Sequence, residues 1–203
     1  MSQRFHDQFG NPQGLAGRLA GWLMALTNRD LNTWAVDQLA VRPADHVLEI
    51  GFGPGLAVQA LARRARHGLV EGVDVSPLMV EQATRRNAAM VKAGRVRLQI
   101  GSVSTLPYAE RSFDRVLAVN NVQFWSNLSD DLREVARVLR PAGTLAIVLQ
   151  PRQAPSTADV LAVRDDLLIQ LEAAGYRRVR SAVNPLAPMP AFAVLGERPS
   201  RLP

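Results

Sequence analysis

Cysteine is absent from this chain of 203 residues, and histidine occurs only as His6, His46 and His67. Without cysteine the chain can form neither a disulfide nor a thiolate metal site, and three scattered histidines do not suggest a metal cluster. We therefore expect no metal ligands and no thiol redox chemistry.

Long apolar runs are also missing. No segment approaches the roughly 18 consecutive apolar residues that a membrane-spanning helix requires. Arg4, His6 and Asp7 lie where a secretory signal peptide would have its apolar part. These features predict a cytoplasmic protein, and one domain with a substantial core accounts for the length.

Lysine is nearly absent too, since Lys92 is the only one, although the formal net charge is +6. The arginine clusters at 63–66, 85–86 and 177–180 fall on predicted helices or on a late strand. No aromatic residues are interleaved with them, as a base-stacking surface would require. We therefore expect solvated basic faces and no nucleic-acid partner, with a weak anionic partner as the alternative.

From residue 46 onward, short apolar runs alternate with helical periodicity. The predicted strands are 46–50, 69–74, 96–100, 113–119, 143–149, about 176–183 and about 191–197; helices are predicted near 30–39, 55–66, 77–92 and 130–139, with another after the loop at 150–155. Asn184-Pro185 and Pro188 separate the last two strands, which favours an antiparallel hairpin. We therefore predict an α/β, Rossmann-like sheet of seven strands, six parallel and one reversed, with helices on both faces.

The first 40 residues predict a helical segment before this core. Apolar side chains between Leu15 and Leu26 alternate with Gly14, Gly17 and Gly21. Such a helix could pack on the body of the protein, form a lid over a site, or lie on a membrane surface. Peripheral contact is thus the only membrane role that the sequence leaves open.

The most informative stretch begins with an apolar run that carries one carboxylate, Glu49, and continues into Gly51, Gly53 and Gly55. It predicts a buried strand, a tight turn and the N-terminus of a helix; residues 51–55 are called the glycine turn below. Glycines permit positive φ and close approach of a ligand, and a helix N-terminus presents free N–H groups. The turn by itself does not identify the ligand.

Two common ligands of such turns fit poorly. A phosphate-binding P-loop needs a lysine and a Ser or Thr after its last glycine, whereas Leu56 and Ala57 follow Gly55. The dinucleotide pattern counted from Gly51 needs a glycine at Leu56, and Glu49 would place a carboxylate near the pyrophosphate. A nicotinamide-dependent oxidoreductase stays as the less favoured alternative.

A ligand that carries positive charge suits Glu49 better. S-adenosylmethionine brings an ammonium and a sulfonium group, and its carboxylate can face the helix N-terminus. Asp74 ends the second predicted strand, about 20 residues after the glycines, where a carboxylate can accept ribose hydroxyls. The pattern therefore favours S-adenosylmethionine as the cofactor.

The chain also resembles class I S-adenosylmethionine-dependent methyltransferases, in particular the small bacterial type 11 group related to ubiquinone and menaquinone methylases. The motifs that carry the resemblance lie at 47–55, 72–76, 101–108, 112–116 and 139–143. The resemblance implies a methyltransferase whose cofactor-binding residues are Glu49, Gly51, Phe52, Gly53, Gly55, Asp74, Val75, Ser76, Met79, Ser102, Val103 and Asn120.

Each group of these residues has an implied position. Glu49 and the glycines would surround the methionine part, Asp74 the ribose, Ser76 and Met79 the adenine, and Ser102 and Val103 the adenine edge. Asn120 would offer an oxygen to the ammonium group. Ser102 stands where the common family pattern has aspartate, so a hydroxyl replaces the usual carboxylate acceptor.

Methyl transfer from a sulfonium needs positioning and a dry pocket more than a dedicated base. Possible bases or contacts are His6, Tyr108, Asn120, Gln123, Trp125 and Arg152, but each is more simply a terminal, packing or solvated residue, so the sequence identifies no catalytic residue. Because no large insertion follows the fifth strand, the acceptor pocket must come from 1–30, 121–127 and 150–157. We expect a small or medium, apolar acceptor under an N-terminal helical lid formed by residues 1–40, or alternatively a protein that binds the cofactor without turnover.

Overall fold

The computed structural model describes residues 29–198. The predicted N-terminal helix between Leu15 and Leu26, and the candidate base His6, lie outside these residues. Within the described part, none of the helices is long and apolar enough to cross a membrane.

Seven strands form one sheet in the order β3-β2-β1-β4-β5-β7-β6. The strands are β1 (His46–Ile50), β2 (Leu69–Asp74), β3 (Val96–Ile100), β4 (Phe113–Val119), β5 (Leu139–Leu149), β6 (Arg177–Asn184) and β7 (Ala191–Glu197). Strand β7 runs antiparallel to both β5 and β6, and the remaining neighbours are parallel. The predicted sheet of six parallel strands and one reversed strand is confirmed.

The described part of the chain contains six α-helices and one short 3-10 helix; the first precedes β1, and the others lie between strands. They are α1 (Arg29–Leu39), α2 (Leu56–Arg64), α3 (Pro77–Arg86), α4 (Ala88–Lys92), the 3-10 helix (Val122–Phe124), α5 (Leu128–Val138) and α6 (Thr157–Ala173). The helices predicted from residue 30 onward are present with ends within a few residues of those expected, except that the helix over 77–92 forms two helices.

Two predicted elements differ from the structure. The helix expected over 77–92 is divided at Asn87, whose side-chain amide donates to the carbonyls of Gly55 and Ala83 and so competes with regular helical bonding. Strand β5 begins at Leu139 rather than at 143. The side chain of Leu139 is fully buried and pairs with Phe113 of β4, and the register then shifts before Thr144.

The sheet is buried on both faces because side chains alternate along each strand. Val47 and Leu117 lie on the face that packs against α1, α2 and α3. Leu48 and Val116 lie on the opposite face, together with residues of α5 and α6. This two-sided core explains why the central strands appear in the sequence as short, almost wholly apolar runs.

The strand order places a crevice at the carboxyl ends of β1 and β4. Strand β1 lies between β2 and β4: the chain runs outward from β1 through β2 to β3 and then crosses back to β4 on the other side of β1. In open α/β sheets, ligands bind at such a switch point. The glycine turn follows β1 directly and therefore lies at this position.

Candidate active site

A cavity of about 200 Å³ lies at the carboxyl ends of β1, β2 and β4. It brings together residues from five separate parts of the chain: the start of α1, the glycine turn, the β2–α3 and β3–β4 connections, and the segment after β4. All of the predicted cofactor residues except Gly55 and Ser76 line it. The other lining residues, which the sequence did not assign to the cofactor, are Asn32, Ile50, Pro54, Leu56, Gly101, Val119, Asn121, Phe124 and Trp125.

The glycine turn requires glycine for different reasons at its successive positions. Gly51, Gly53 and Gly55 have φ values of +62°, +51° and +80°, in the left-handed region that side chains rarely adopt. A Cβ on Gly51 would also lie 2.6 Å from Nδ2 of Asn121, whereas a Cβ on Gly53 would meet nothing within 4 Å. Gly53 therefore needs only the backbone freedom, and Gly51 needs the space as well.

Asp74 ties the glycine turn to the end of β2. One carboxylate oxygen accepts the N–H of Gly53 at 2.8 Å, and the other accepts the N–H of Ser76 at 2.9 Å. Burial raises the pKa of Asp74, and these two backbone donors oppose the increase. Each oxygen keeps a lone pair, so the carboxylate can still accept hydrogen bonds from hydroxyl groups of a ligand.

Glu49 lines the cavity but is only 2% exposed. Within residues 29–198, its buried Oε2 atom has no hydrogen-bond partner. Burial raises the pKa of Glu49 well above its usual value, and the charge of Asp74 raises it further. A buried carboxyl group without a partner is costly, and a positively charged ligand would satisfy it. The site therefore fits a ligand that carries a sulfonium and an ammonium group.

Gly55 and Ser76, both predicted to contact the cofactor, lie behind the cavity lining. Ser76 is fully buried, and its hydroxyl accepts the N–H of Met79 at 3.4 Å as the N-cap of α3. Met79 itself lines the cavity. Gly55 packs against Ala83 and Asn87, where a Cβ would approach within 2.7 Å and 2.8 Å respectively. These two residues thus support the lining residues beside them.

Asn120 lies directly after β4 with a positive φ of 52°. Its side-chain oxygen accepts the N–H of Gln150 at 2.8 Å, and its backbone carbonyl accepts Nε2 of Gln123 at 2.9 Å. Both oxygens that the sequence offers to an ammonium group therefore already have a partner. Each oxygen has a second lone pair that can accept a further donor.

The next residue, Asn121, also lines the cavity. It belongs to the segment 121–127 that the sequence assigned to the acceptor pocket, but the sequence assigned no individual role to it. Its Nδ2 donates to the backbone carbonyl of Ile50, and its Oδ1 accepts the indole N–H of Trp125 at 3.1 Å. The available sequence signal was a pair of asparagines immediately after a central strand, which is also typical of an ordinary turn.

Phe124 and Trp125, called the aromatic wall below, line the cavity after β4. Among the other candidate bases, Tyr108, Gln123 and Arg152 do not line it. Burial raises the pKa of Tyr108 to about 12, so this phenol is a poor base near neutral pH. Of the described residues, the ionisable ones that line the cavity are Glu49 and Asp74.

A protein-family model described as a methyltransferase domain matches residues 48–147. The chain is also 32% identical over 183 residues to the protein named uncharacterized methyltransferase YdaC of Bacillus subtilis, an alignment that covers 90% of this chain and 99% of that protein. The chain belongs to the class I S-adenosylmethionine-dependent methyltransferases. Its cofactor is accordingly S-adenosylmethionine, and the nicotinamide alternative is set aside.

Two further comparisons agree with this assignment. The chain is 30% identical over 122 residues to the ubiquinone/menaquinone biosynthesis C-methyltransferase UbiE of Geotalea daltonii, an alignment of 60% of this chain that spans about half (52%) of that relative. A crystal structure of a SAM-dependent methyltransferase from Aquifex aeolicus superimposes with a TM-score of 0.70 at 19% identity, over 98% of this chain and 99% of that one. The structural likeness confirms the Rossmann-like methyltransferase fold.

Proposed function

We propose that this methyltransferase transfers a methyl group to a small or medium, largely apolar acceptor by in-line displacement, with the protein contributing mainly positioning. The observation that carries the proposal is the division of the cavity. Its described ionisable groups, Glu49 and Asp74, lie on β1 and β2, whereas Val119 and the aromatic wall lie on and after β4. The first side suits the cofactor, and the second suits an apolar acceptor.

The cofactor side would hold S-adenosylmethionine through charge and hydroxyl contacts. Glu49, buried and without a described partner for Oε2, pairs with the positive groups, and Asp74 accepts the ribose hydroxyls. Val75 and Met79 flank the adenine, whose edge meets Ser102 and Val103. The hydroxyl of Ser102 also accepts the N–H of Ser104 at 3.3 Å, so it contributes a neutral and shared hydrogen bond.

Methyl transfer from a sulfonium depends little on an acid or base supplied by the protein. Bound S-adenosylmethionine supplies an electrophilic methyl group and leaves as a neutral thioether, which needs no acid. The chain has to hold the acceptor atom in line with the bond between sulfur and the methyl group, and it has to exclude water. Orientation of this kind can lower the activation barrier by roughly 7 to 11 kcal/mol. The aromatic wall provides an apolar surface suited to both tasks.

The residues before α1 would complete the pocket as a lid. Asn32, in the first turn of helix α1, lines the cavity. Val75 and Phe124 also line the cavity although they are 52% and 41% exposed. The apolar segment at 15–26 would cover these exposed side chains and the acceptor.

Incubation with S-adenosylmethionine labelled in its methyl group, together with a fractionated cell extract, tests the proposed acceptor class. We expect label in small molecules that partition into organic solvent. Asp74→Asn is the matched negative control, since it removes the charge of a cavity residue without changing its size. Label confined to protein or nucleic acid would contradict the acceptor class, and tight cofactor binding without any transfer would favour a non-catalytic role.

A further inference from the structure

The side chain of Asn121 connects two parts of the cavity that are far apart in sequence. Its Nδ2 donates to the carbonyl of Ile50, the residue immediately before the glycine turn, across 71 positions of the chain. Its Oδ1 accepts the indole N–H of Trp125 in the aromatic wall at 3.1 Å. One amide group therefore touches both the cofactor side and the acceptor side.

The backbone of Asn121 strengthens this connection. Its carbonyl accepts the N–H of Phe124 at 2.9 Å and so begins the 3-10 helix that carries the aromatic wall. Both members of the wall are thus held to Asn121, one through the backbone and one through its side chain. A single residue consequently sets where the wall stands relative to the end of β1.

The close packing of Asn121 against the glycine turn also supports this connection. A Cβ on Gly51 would lie 2.6 Å from Nδ2 and 3.0 Å from Cγ of Asn121, so the amide lies directly against the turn. An arrangement this tight leaves little room for the wall and the turn to move separately. The side-chain amide of Asn121 donates one hydrogen bond and accepts another. Together these two bonds define the orientation of the amide plane.

We propose that Asn121 is a positioning residue, which fixes the distance between the glycine turn and Trp125 and thereby aligns acceptor with cofactor. This rests on the proposed function, because it assigns the aromatic wall to the acceptor. The two side-chain hydrogen bonds of Asn121, to Ile50 and from Trp125, are called the bridge below. This role differs from cofactor binding, because loss of the bridge lets the aromatic wall shift while the glycine turn still holds its ligand.

Two variants each cut one half of the bridge. Trp125→Phe removes the indole N–H and keeps the bond to Ile50, whereas Asn121→Asp keeps an acceptor for the indole and removes the donor to Ile50. We expect each to lower the rate of methyl transfer at saturating cofactor by about 10- to 100-fold, because small misplacements have effects of this size. The dissociation constant for S-adenosylhomocysteine should change several times less than the rate. Thr33→Ala, which removes one exposed side-chain hydrogen bond within α1, is the matched control.

A spectroscopic readout tests the bridge even before an acceptor is known. The indole N–H signal of Trp125 is assigned in a ¹H–¹⁵N spectrum by its loss in Trp125→Phe, and Trp34 of α1 serves as internal reference. We expect addition of S-adenosylhomocysteine to move the Trp125 signal in the unmodified protein. In Asn121→Asp the movement should shrink at full saturation, while the Trp34 signal behaves as before.

The outcomes separate this proposal from the proposed function. An unchanged ligand-induced movement of the Trp125 signal in Asn121→Asp would overturn the bridge, whatever the acceptor is. A rise in the dissociation constant that matches the loss of rate would also overturn it, because Asn121 would then act on cofactor binding alone. If no apolar acceptor is labelled but the signal responds as expected, the proposed acceptor class fails and the bridge stands.

Discussion

At the scale of a single residue, the buried carboxyl group of Glu49 affects both the stability of the ligand-free protein and the proposed binding of the cofactor. It is buried in the cavity with a raised pKa, caused first by desolvation and then by the charge of Asp74. In the unfolded chain its pKa returns to about 4.3. Between these two pKa values the folded state binds more protons than the unfolded state, so stability falls as the pH rises through this window. Ionised Glu49 thus lowers the stability of the ligand-free protein.

Glu49→Gln should therefore stabilise the ligand-free protein at neutral pH and weaken cofactor binding. Each pH unit between the folded and unfolded pKa values costs about 1.4 kcal/mol, which glutamine does not incur. Chemical denaturation from pH 4 to pH 8 should show a flatter pH dependence for the variant, and calorimetry with S-adenosylmethionine should show lower affinity. An unchanged affinity would remove Glu49 from the cofactor site.

Gly51→Ala and Gly53→Ala form a matched pair at the same scale. Both place a side chain at positive φ, which costs roughly 1 to 2 kcal/mol. Gly51→Ala also forces a Cβ to within 2.6 Å of Asn121, whereas Gly53→Ala meets nothing within 4 Å. We expect a larger loss of unfolding free energy for Gly51→Ala, measured by denaturant titration. Equal losses would mean that Asn121 moves aside without cost.

At the scale of elements, α3 shows how a side chain near a site can serve the scaffold. The hydroxyl of Ser76 caps this helix and is fully buried, and Ser76 does not line the cavity. The residues around it, Val75 and Met79, do line the cavity. The start of α3 thus places Val75 and Met79 at the cavity and uses the intervening Ser76 as the helix cap.

Ser76→Ala should lower the unfolding free energy by about 1 kcal/mol, as is usual for loss of an N-cap. The affinity for S-adenosylhomocysteine should change little, because the cavity lining is retained. Thermal denaturation and calorimetry on the same preparation separate the two effects. Weaker binding at unchanged stability would instead support the contact with adenine that the family resemblance implies.

At the scale of the whole molecule, the described core provides the cofactor side of the cavity and the aromatic wall. Asn32, near the start of α1, lines the cavity. The role proposed for residues 1–26 can be tested by truncation. Their contribution can be separated from that of the sheet.

Deletion of residues 1–26 should abolish methyl transfer and leave cofactor binding largely intact. The reason is that Glu49, Asp74 and the glycine turn belong to the core, whereas closure over the acceptor would be lost. Calorimetry with S-adenosylhomocysteine and the labelled-methyl assay measure the two effects separately. Full turnover by the truncated protein would eliminate the proposed lid.

Much of the fold could be predicted because buried parallel strands appear as apolar runs between strong breakers. The bounds of β1, β2, β3, β4 and β7 agree with the predicted ranges. The early start of β5 could not be seen, since it depends on the pairing of Leu139 with Phe113. The hydrophobic pattern of a segment indicates which of its own residues are buried. It does not show how far a strand extends when its end is fixed by pairing with another strand.

The sequence by itself determined the carboxylates and glycines that lie within one turn of a predicted strand end, because their positions follow from the strand that carries them. Only the tertiary structure decided that Ser76 lies outside the cavity lining and that Asn32 belongs to it. It alone also decided that Asn121 contacts Ile50, 71 positions earlier. The physical reason is that such contacts join residues distant along the chain, and sheet order and packing, rather than local periodicity, bring them together.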